Sequence, residues 1–178
     1  MIKIEEQIRK CNLCHLYNSD PVFKPLPGRG NPEKYLIVGI APGVGRANLP
    51  TLDRAMLMDD SRYPAFQLGK VLKTIKWPTE ETYVTNLIKC SLPDNRKPTE
   101  QDLNTCFKLY FLQELMYIMP RVIICLGDIA YSTLNAKLES KYFPMEKVFH
   151  HSYIHRNQDK FSEWKGQWEK IVVKYNVQ

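Results

Sequence analysis

A single α/β domain spanning residues 1–178, built on a central, mostly parallel four-stranded sheet with helices on both faces, is the fold class this sequence predicts. Three observations carry that prediction. The first is a set of short apolar runs, Tyr35-Leu36-Ile37-Val38-Gly39, Tyr83-Val84-Thr85 and Val122 to Leu126, bounded by turn formers as strands buried on both faces are. The second is order: stretches with apolar residues at helical spacing separate the runs, and alternating strand and helix yields a parallel sheet covered on both sides. The third is size. A chain of 178 residues that is 44% apolar can bury one core, and no repeat, low-complexity tract or linker divides it.

Taken in order, residues 3–10 read as a short helix running into Cys11, followed by an irregular segment with Pro21, Pro25, Pro27, Gly28, Gly30 and Pro32. The strand at 35–39 comes next, then a helix over 65–75 and the strand at 83–85. A helix over 99–118 follows, and Thr99 with Asp102 resembles a capping box at its start. Gly127 ends the run at 122–126 and opens a helix to about Asn135. The last strand is expected at residues 147–150 and a closing helix at 160–174. Ligands of open parallel sheets bind beyond the carboxyl ends of the strands. There the chain carries Gly39-Ile40-Ala41-Pro42-Gly43, Asn86, Gly127 and His150-His151-Ser152.

No apolar stretch is long enough to cross a bilayer and the first residues do not form a signal peptide, so a cytoplasmic protein is expected. In a reducing compartment its five cysteines point to metal binding or burial rather than disulfides. Cys125, inside the apolar run, reads as packing. Cys11-x-x-Cys14 with the distant Cys90 and Cys106 leaves three readings open: an iron-sulfur cluster, a zinc site, or four buried thiols. Zinc usually takes two close ligand pairs, which Cys90 and Cys106 are not. A net charge of +6 is compatible with a polyanionic partner without requiring one. The glycines of Gly28-x-Gly30 and Gly39 to Gly45 lack the Gly-Lys-Ser/Thr of a phosphate loop and the dinucleotide spacing, so a nucleotide cofactor is not expected.

Several motifs occur in an order that resembles the iron-sulfur uracil-DNA glycosylases, families 4 and 5. They are Cys11-x-x-Cys14, Gly28-Arg29-Gly30-Asn31-Pro32, Leu36 to Gly43, Thr85-Asn86-x-x-Lys89-Cys90, Pro93-x-Asn95-Arg96-x-Pro98, Cys106, Val122 to Gly127 and His150-His151-Ser152. The combination of Thr-Asn-x-x-Lys-Cys with Pro-x-Asn-Arg-x-Pro is the most specific. The resemblance implies a [4Fe-4S] cluster on Cys11, Cys14, Cys90 and Cys106 with a structural role. It also implies hydrolysis of the N-glycosidic bond of uracil or another damaged or modified pyrimidine in DNA, by a monomer that is nucleoid-associated when it acts.

A glycosylase must flip the nucleotide, bind the free base edge and stabilise a leaving pyrimidine that becomes anionic at O2. By resemblance His150 is the donor to that oxygen and Asn86 reads the base edge, with Gly39, Ile40 and Ala41 supplying backbone beside base and sugar. A carboxamide suits the edge because it offers a donor and an acceptor at once. Without the resemblance, His150 would be a loop-tying histidine and Asn86 a strand-end turn residue. Phe66 or Tyr63 is the candidate face for stacking on the base. Ser152, Tyr153 and Arg156, on an expected loop over 153–156, together with Asn95 and Arg96, are candidates for DNA contact.

The chain departs from the family in places. Ile40 stands where family 4 usually has Glu and cannot orient water; family 5 has an apolar residue there and an Asp further along, and by that resemblance Asp60, rather than Asp59, is the candidate water-positioning carboxylate. His151 replaces the usual Pro, and residues 136–147 form a shorter region than in family members. These departures leave two alternatives: a glycosylase for a modified cytosine in foreign (phage) DNA, and a noncatalytic iron-sulfur DNA-binding homologue. A redox sensor is a third.

Overall fold

The structure, a computed structural model, describes residues 1–17, 24–43 and 64–177. Its strands are β1 (Arg29–Gly30), β2 (Tyr35–Gly39), β3 (Thr82–Asn86), β4 (Val122–Leu126) and β5 (Met145–Val148). They form one sheet in the order β1-β3-β2-β4-β5. β2 is parallel to both β3 and β4, β4 is parallel to β5, and β1 alone runs antiparallel, against β3. The sheet thus has one strand more than the four the sequence predicts. β1 escapes sequence reading because two residues in a proline-rich stretch have no period.

The helices are α1 (Ile2–Arg9), α2 (Ala65–Thr74), α3 (Glu100–Cys106), α4 (Leu112–Ile118), α5 (Asp128–Lys137), α6 (His151–Arg156) and α7 (Phe161–Tyr175). Strand side chains alternate between faces. Tyr35, Ile37, Ile124 and Leu126 meet Leu68 and Leu72 of α2 and Trp164 and Trp168 of α7. Leu36, Val38, Ile123 and Cys125 meet Phe111 and Leu115 on one side and Ala130 and Leu134 of α5. Each fully buried aliphatic side chain contributes about 1.5–3 kcal/mol, so the five-residue apolar runs carry much of the fold.

The helix expected over 99–118 runs unbroken from Glu100 to Ile118 but widens into a π turn at Phe107–Phe111, a feature with no composition signal, and two further expectations need correction. Its start is as expected: Thr99 caps α3, with the Asp102 N–H donating to the Thr99 hydroxyl at 3.2 Å and the Thr99 N–H to the Asp102 carboxylate at 2.7 Å. The last strand ends at Val148 rather than at residue 150. Residues 153–156, expected as a loop, belong to α6, which His150 caps. Among the described residues no helix is long and apolar enough to cross a membrane.

Candidate functional site

β2, β3, β4 and β5 all point their carboxyl ends to one edge of the sheet, and a cleft of about 280 Å³ opens there. Ile40 and Ala41 line it from the β2 loop, Asn86 from the end of β3, and Asn95 and Arg96 from the loop before α3. His150, His151 and Ser152 close it from the start of α6. The strand order forces this convergence. β2 connects outward to β3 on one side, while β4 and β5 lie on the other, so loops from both halves meet over the middle strand.

The base of the cleft is rigid. Parallel pairing runs past the strand ends, with the Leu87 N–H donating to the Gly39 carbonyl at 3.0 Å and the Ile88 N–H to the Ile40 carbonyl at 2.8 Å. Gly39 and Asn86 are register partners, and the Asn86 amide oxygen lies where a side chain on residue 39 would begin. Only glycine permits that approach. Beneath Asn86 lies a buried network that joins Lys89 and Thr85, both in the Thr-Asn-x-x-Lys-Cys motif, to Glu114, which no motif marks. Lys89 Nζ donates to Glu114 Oε2 at 2.6 Å, to Thr85 Oγ1 at 2.8 Å and to the Asn86 carbonyl at 2.7 Å. The lysine and carboxylate side chains are 1% and 0% exposed. A buried ion pair of this kind is worth most where every donor is used, and Lys89 uses all three.

His150 has a defined tautomer. The Ser152 N–H donates to His150 Nδ1 at 3.1 Å, so that nitrogen accepts, and a neutral ring then carries its proton on Nε2. The ring is a hydrogen-bond donor without needing a charge. Gly127, with φ +88°, leaves room for it: a Cβ there would lie 3.3 Å from the His150 Cβ. His151 stacks on His150 with ring centres 4.2 Å apart. His150 also borders a second, largely apolar cavity of about 460 Å³, lined by Phe149 and Tyr153 among others.

Arg96 reaches the cleft, but its guanidinium is a strut. Nη1 donates to Asp102 Oδ2 at 2.7 Å and Nη2 to Oδ1 at 3.2 Å, while His15 Nε2 lies 2.9 Å from Oδ1. Burial alone would raise the Asp102 carboxyl; Arg96 and the Thr99 N–H outweigh it and hold the group well below the usual carboxylate range. One carboxylate therefore ties together the segment after Cys14, the cleft loop and the start of α3.

The four cysteines gather beside the cleft. Cys90 and Cys106 are buried with Leu16, Ile88 and Leu92, against half-buried Cys14 and Ala41. Burial pushes the Cys90 thiol up to about 12, and the charges of Cys106, Cys14 and Cys11 add to it, so the four lie close enough to act on one another. The Tyr110 phenol, inside the π turn, is raised by burial and by Cys11 beside it. Four mutually repelling thiolates need a cationic group to be stable together. Four cysteine thiols brought together in this way are the donor set that an iron-sulfur cluster takes.

Other candidates stand elsewhere. Phe66 lies on α2, whose Ala65 and Leu68 approach Asn86, but Phe66 itself lines neither the cleft nor the apolar cavity. Tyr153 packs edge-on against Phe149 at 5.4 Å and borders the apolar cavity instead of the cleft. Arg156 is exposed in the last turn of α6, away from the cleft lining. Asp60 and Tyr63 lie outside the described residues. Among the described residues lining the cleft, none is acidic.

A sequence profile of the Uracil DNA glycosylase superfamily matches residues 27–172, which takes in every cleft residue named above. The chain is similar to a type-4 uracil-DNA glycosylase of Sulfurisphaera tokodaii, at 26% identity over 96% of this chain and 70% of that protein. It is also similar to one of Archaeoglobus fulgidus, at 25% over 94% and 89% respectively. A type-5 uracil-DNA glycosylase of Thermus thermophilus is 30% identical over 75% of this chain and 63% of its own length.

Proposed function

Because the chain belongs to the uracil DNA glycosylase superfamily, we propose that it hydrolyses the N-glycosidic bond of uracil in DNA and leaves an abasic site. The observation that carries this reading is the convergence of Asn86 and His150 over the Ile40–Ala41 backbone at the carboxyl ends of the sheet. A flipped uracil enters the cleft with its edge toward Asn86, whose carboxamide matches the N3–H donor and O4 acceptor of that base. His150 Nε2–H donates to O2 as the bond to the sugar lengthens and negative charge collects there. One pre-placed donor of this kind contributes about 2.7–4 kcal/mol to the rate.

Water then adds to the cationic sugar carbon. We assign its orientation to Asp60, on its resemblance to the catalytic Asp of family 5. We assign Asn95 and Ser152, which line the cleft, to contact with the DNA backbone, and Arg96 to the same loop, which it braces through Asp102. Tyr153 and Arg156, on the exposed side of α6, are assigned to the flanking duplex, and Phe66 and Tyr63 remain the candidates for stacking on the base. Cys11, Cys14, Cys90 and Cys106 would hold a [4Fe-4S] cluster, whose contribution is to fasten the chain around α1, the β3 loop and α3.

The relatives compared are named uracil-DNA glycosylases, which favours uracil over a modified cytosine and an enzyme over a noncatalytic DNA binder. Excision from a duplex carrying one uracil, scored as alkali-labile sites, tests the reading. Cleavage at the uracil supports it; no cleavage by iron-loaded protein on single- or double-stranded substrate overturns it.

A further inference from the structure

We propose that Lys89 is a positioning residue for uracil excision: its buried ammonium fixes the peptide that follows Asn86, and with it the aim of the base-reading carboxamide. The proposal rests on the glycosylase reading above and deepens it.

The peptide joining Asn86 to Leu87 is held at both ends. Its N–H donates to the Gly39 carbonyl in the cleft floor at 3.0 Å. A trans peptide is planar, so its carbonyl points the opposite way, away from β2. Among the described residues β1 pairs with β3 only at Tyr83 and Val84, and the Asn86 carbonyl lies beyond that pairing. Lys89 Nζ supplies the donor that a neighbouring strand does not, at 2.7 Å. Pairing with β2 fixes the chain before Asn86, at Thr85. Pinning the peptide after it therefore sets ψ at Asn86 and the direction in which its side chain leaves the strand. A charged donor on the carbonyl also polarises the amide and strengthens the bond to Gly39 on its far side.

Lys89 is itself immobilised. Its other two ammonium bonds go to Glu114 and Thr85, and the Thr85 hydroxyl lies 3.2 Å from Glu114 Oε1, which closes a triangle. The main chain of Lys89 is anchored as well: its N–H donates to the Cys106 thiol, and its carbonyl accepts the Leu26 N–H at 2.8 Å. Lys89 directly precedes Cys90, so a residue fixed at the cysteine end of the site reaches back under the base reader. Stability of the core alone would call for the ion pair with Glu114. It would not call for a donor spent on the Asn86 carbonyl.

The test is single-turnover excision of uracil from a duplex by four iron-loaded proteins: wild type, Lys89→Met with Glu114→Met, Asn86→Ala, and the three changes together. Removing both charges leaves no unpaired ion in the core, and melting temperature and iron content check that each protein is folded. The paired change should slow excision about tenfold or more in the wild-type background. In the Asn86→Ala background it should cost no more than about twofold, because the carboxamide that Lys89 aims is gone. A purely structural role would slow both backgrounds by the same factor. Where a protein is too slow to rate, its preference for a duplex carrying 2′-fluoro-2′-deoxyuridine over an unmodified one, read from dissociation constants, completes the same cycle. Should the paired change prevent folding, Lys89→Met with Glu114→Leu replaces it. Wild type that excises uracil, with equal losses in the two backgrounds or with the paired change within about twofold of it, overturns the proposal and leaves the glycosylase reading intact. Wild type that releases no uracil overturns both.

Discussion

Gly39 and Asn86 face each other across the β2–β3 pair, and a methyl group on residue 39 would stand 2.5 Å from the Asn86 amide oxygen. The position of the Asn86 carboxamide therefore depends on the absence of a side chain at residue 39. Gly39→Ala should move the Asn86 head group and little else, because the displaced atom is the end of a side chain. The expected outcome is a fall in kcat/KM on uracil-containing DNA of about tenfold or more with the melting temperature shifted by only a few degrees. Steady-state kinetics beside thermal unfolding would separate this from general destabilisation.

Lys89 and Glu114 act one layer below. Removing either partner leaves a buried charge uncompensated, which costs about 3–5 kcal/mol. Lys89→Met and Glu114→Met should each lower the denaturation midpoint by a corresponding amount. The double change Lys89→Met with Glu114→Met should recover part of the loss, since no buried charge remains. Denaturant titration of the four proteins checks the cycle, and equal losses in the single and double variants would contradict it.

Asp102 gives a pH signature. Its folded carboxyl lies well below the unfolded value, so the stability it contributes is present above about pH 4 and is lost as pH falls below that toward the folded value. Asp102→Asn should be less stable than wild type at pH 7 by about 1.5–3 kcal/mol. The gap should narrow as the pH drops below about 4. Unfolding curves of both proteins across that range test the sign, and a gap that widens in acid would contradict it.

The cysteines divide into two classes. Cys106→Ala or Cys90→Ala should abolish iron and acid-labile sulfide in protein purified without oxygen. Cys125, fully buried in β4 with its thiol pushed up to about 12 by burial, belongs to a different group of buried side chains from Cys90 and Cys106. Cys125→Ala should retain full iron while losing about 1 kcal/mol or more of stability. Iron and sulfide assays on the three variants decide the matter.

What was legible in the sequence follows from which forces leave a pattern. β2 and β4 were readable because burial on both faces demands an unbroken apolar run, and Thr99 with Asp102 because a capping box has fixed spacing. The π turn at Phe107–Phe111 left no signal, since it changes hydrogen-bond phase without changing composition. β1 depends on its partner Tyr83-Val84 rather than on its own two residues. Residues 153–156 read as a loop because a six-residue helix is too short to show a period.

The site shows the same division. Ile40, Asn86 and His150 lie at strand ends, where topology alone gathers them. Lys89, Glu114 and the bidentate grip of Asp102 on Arg96 join residues far apart in the chain or buried beneath the cleft, and no local spacing encodes them. Arg96 is the instructive case: the motif marks it as a candidate for DNA contact, and only the structure shows that it also pairs with Asp102.

The central claim is that Asn86 and His150 together remove uracil from DNA, and single-turnover excision by iron-loaded wild type, Asn86→Ala and His150→Ala tests it most directly. The account predicts that wild type releases uracil and that each variant is slower by about a hundredfold or more with duplex affinity largely retained. Wild type unable to release uracil, or variants that keep its rate to within about twofold, would contradict it.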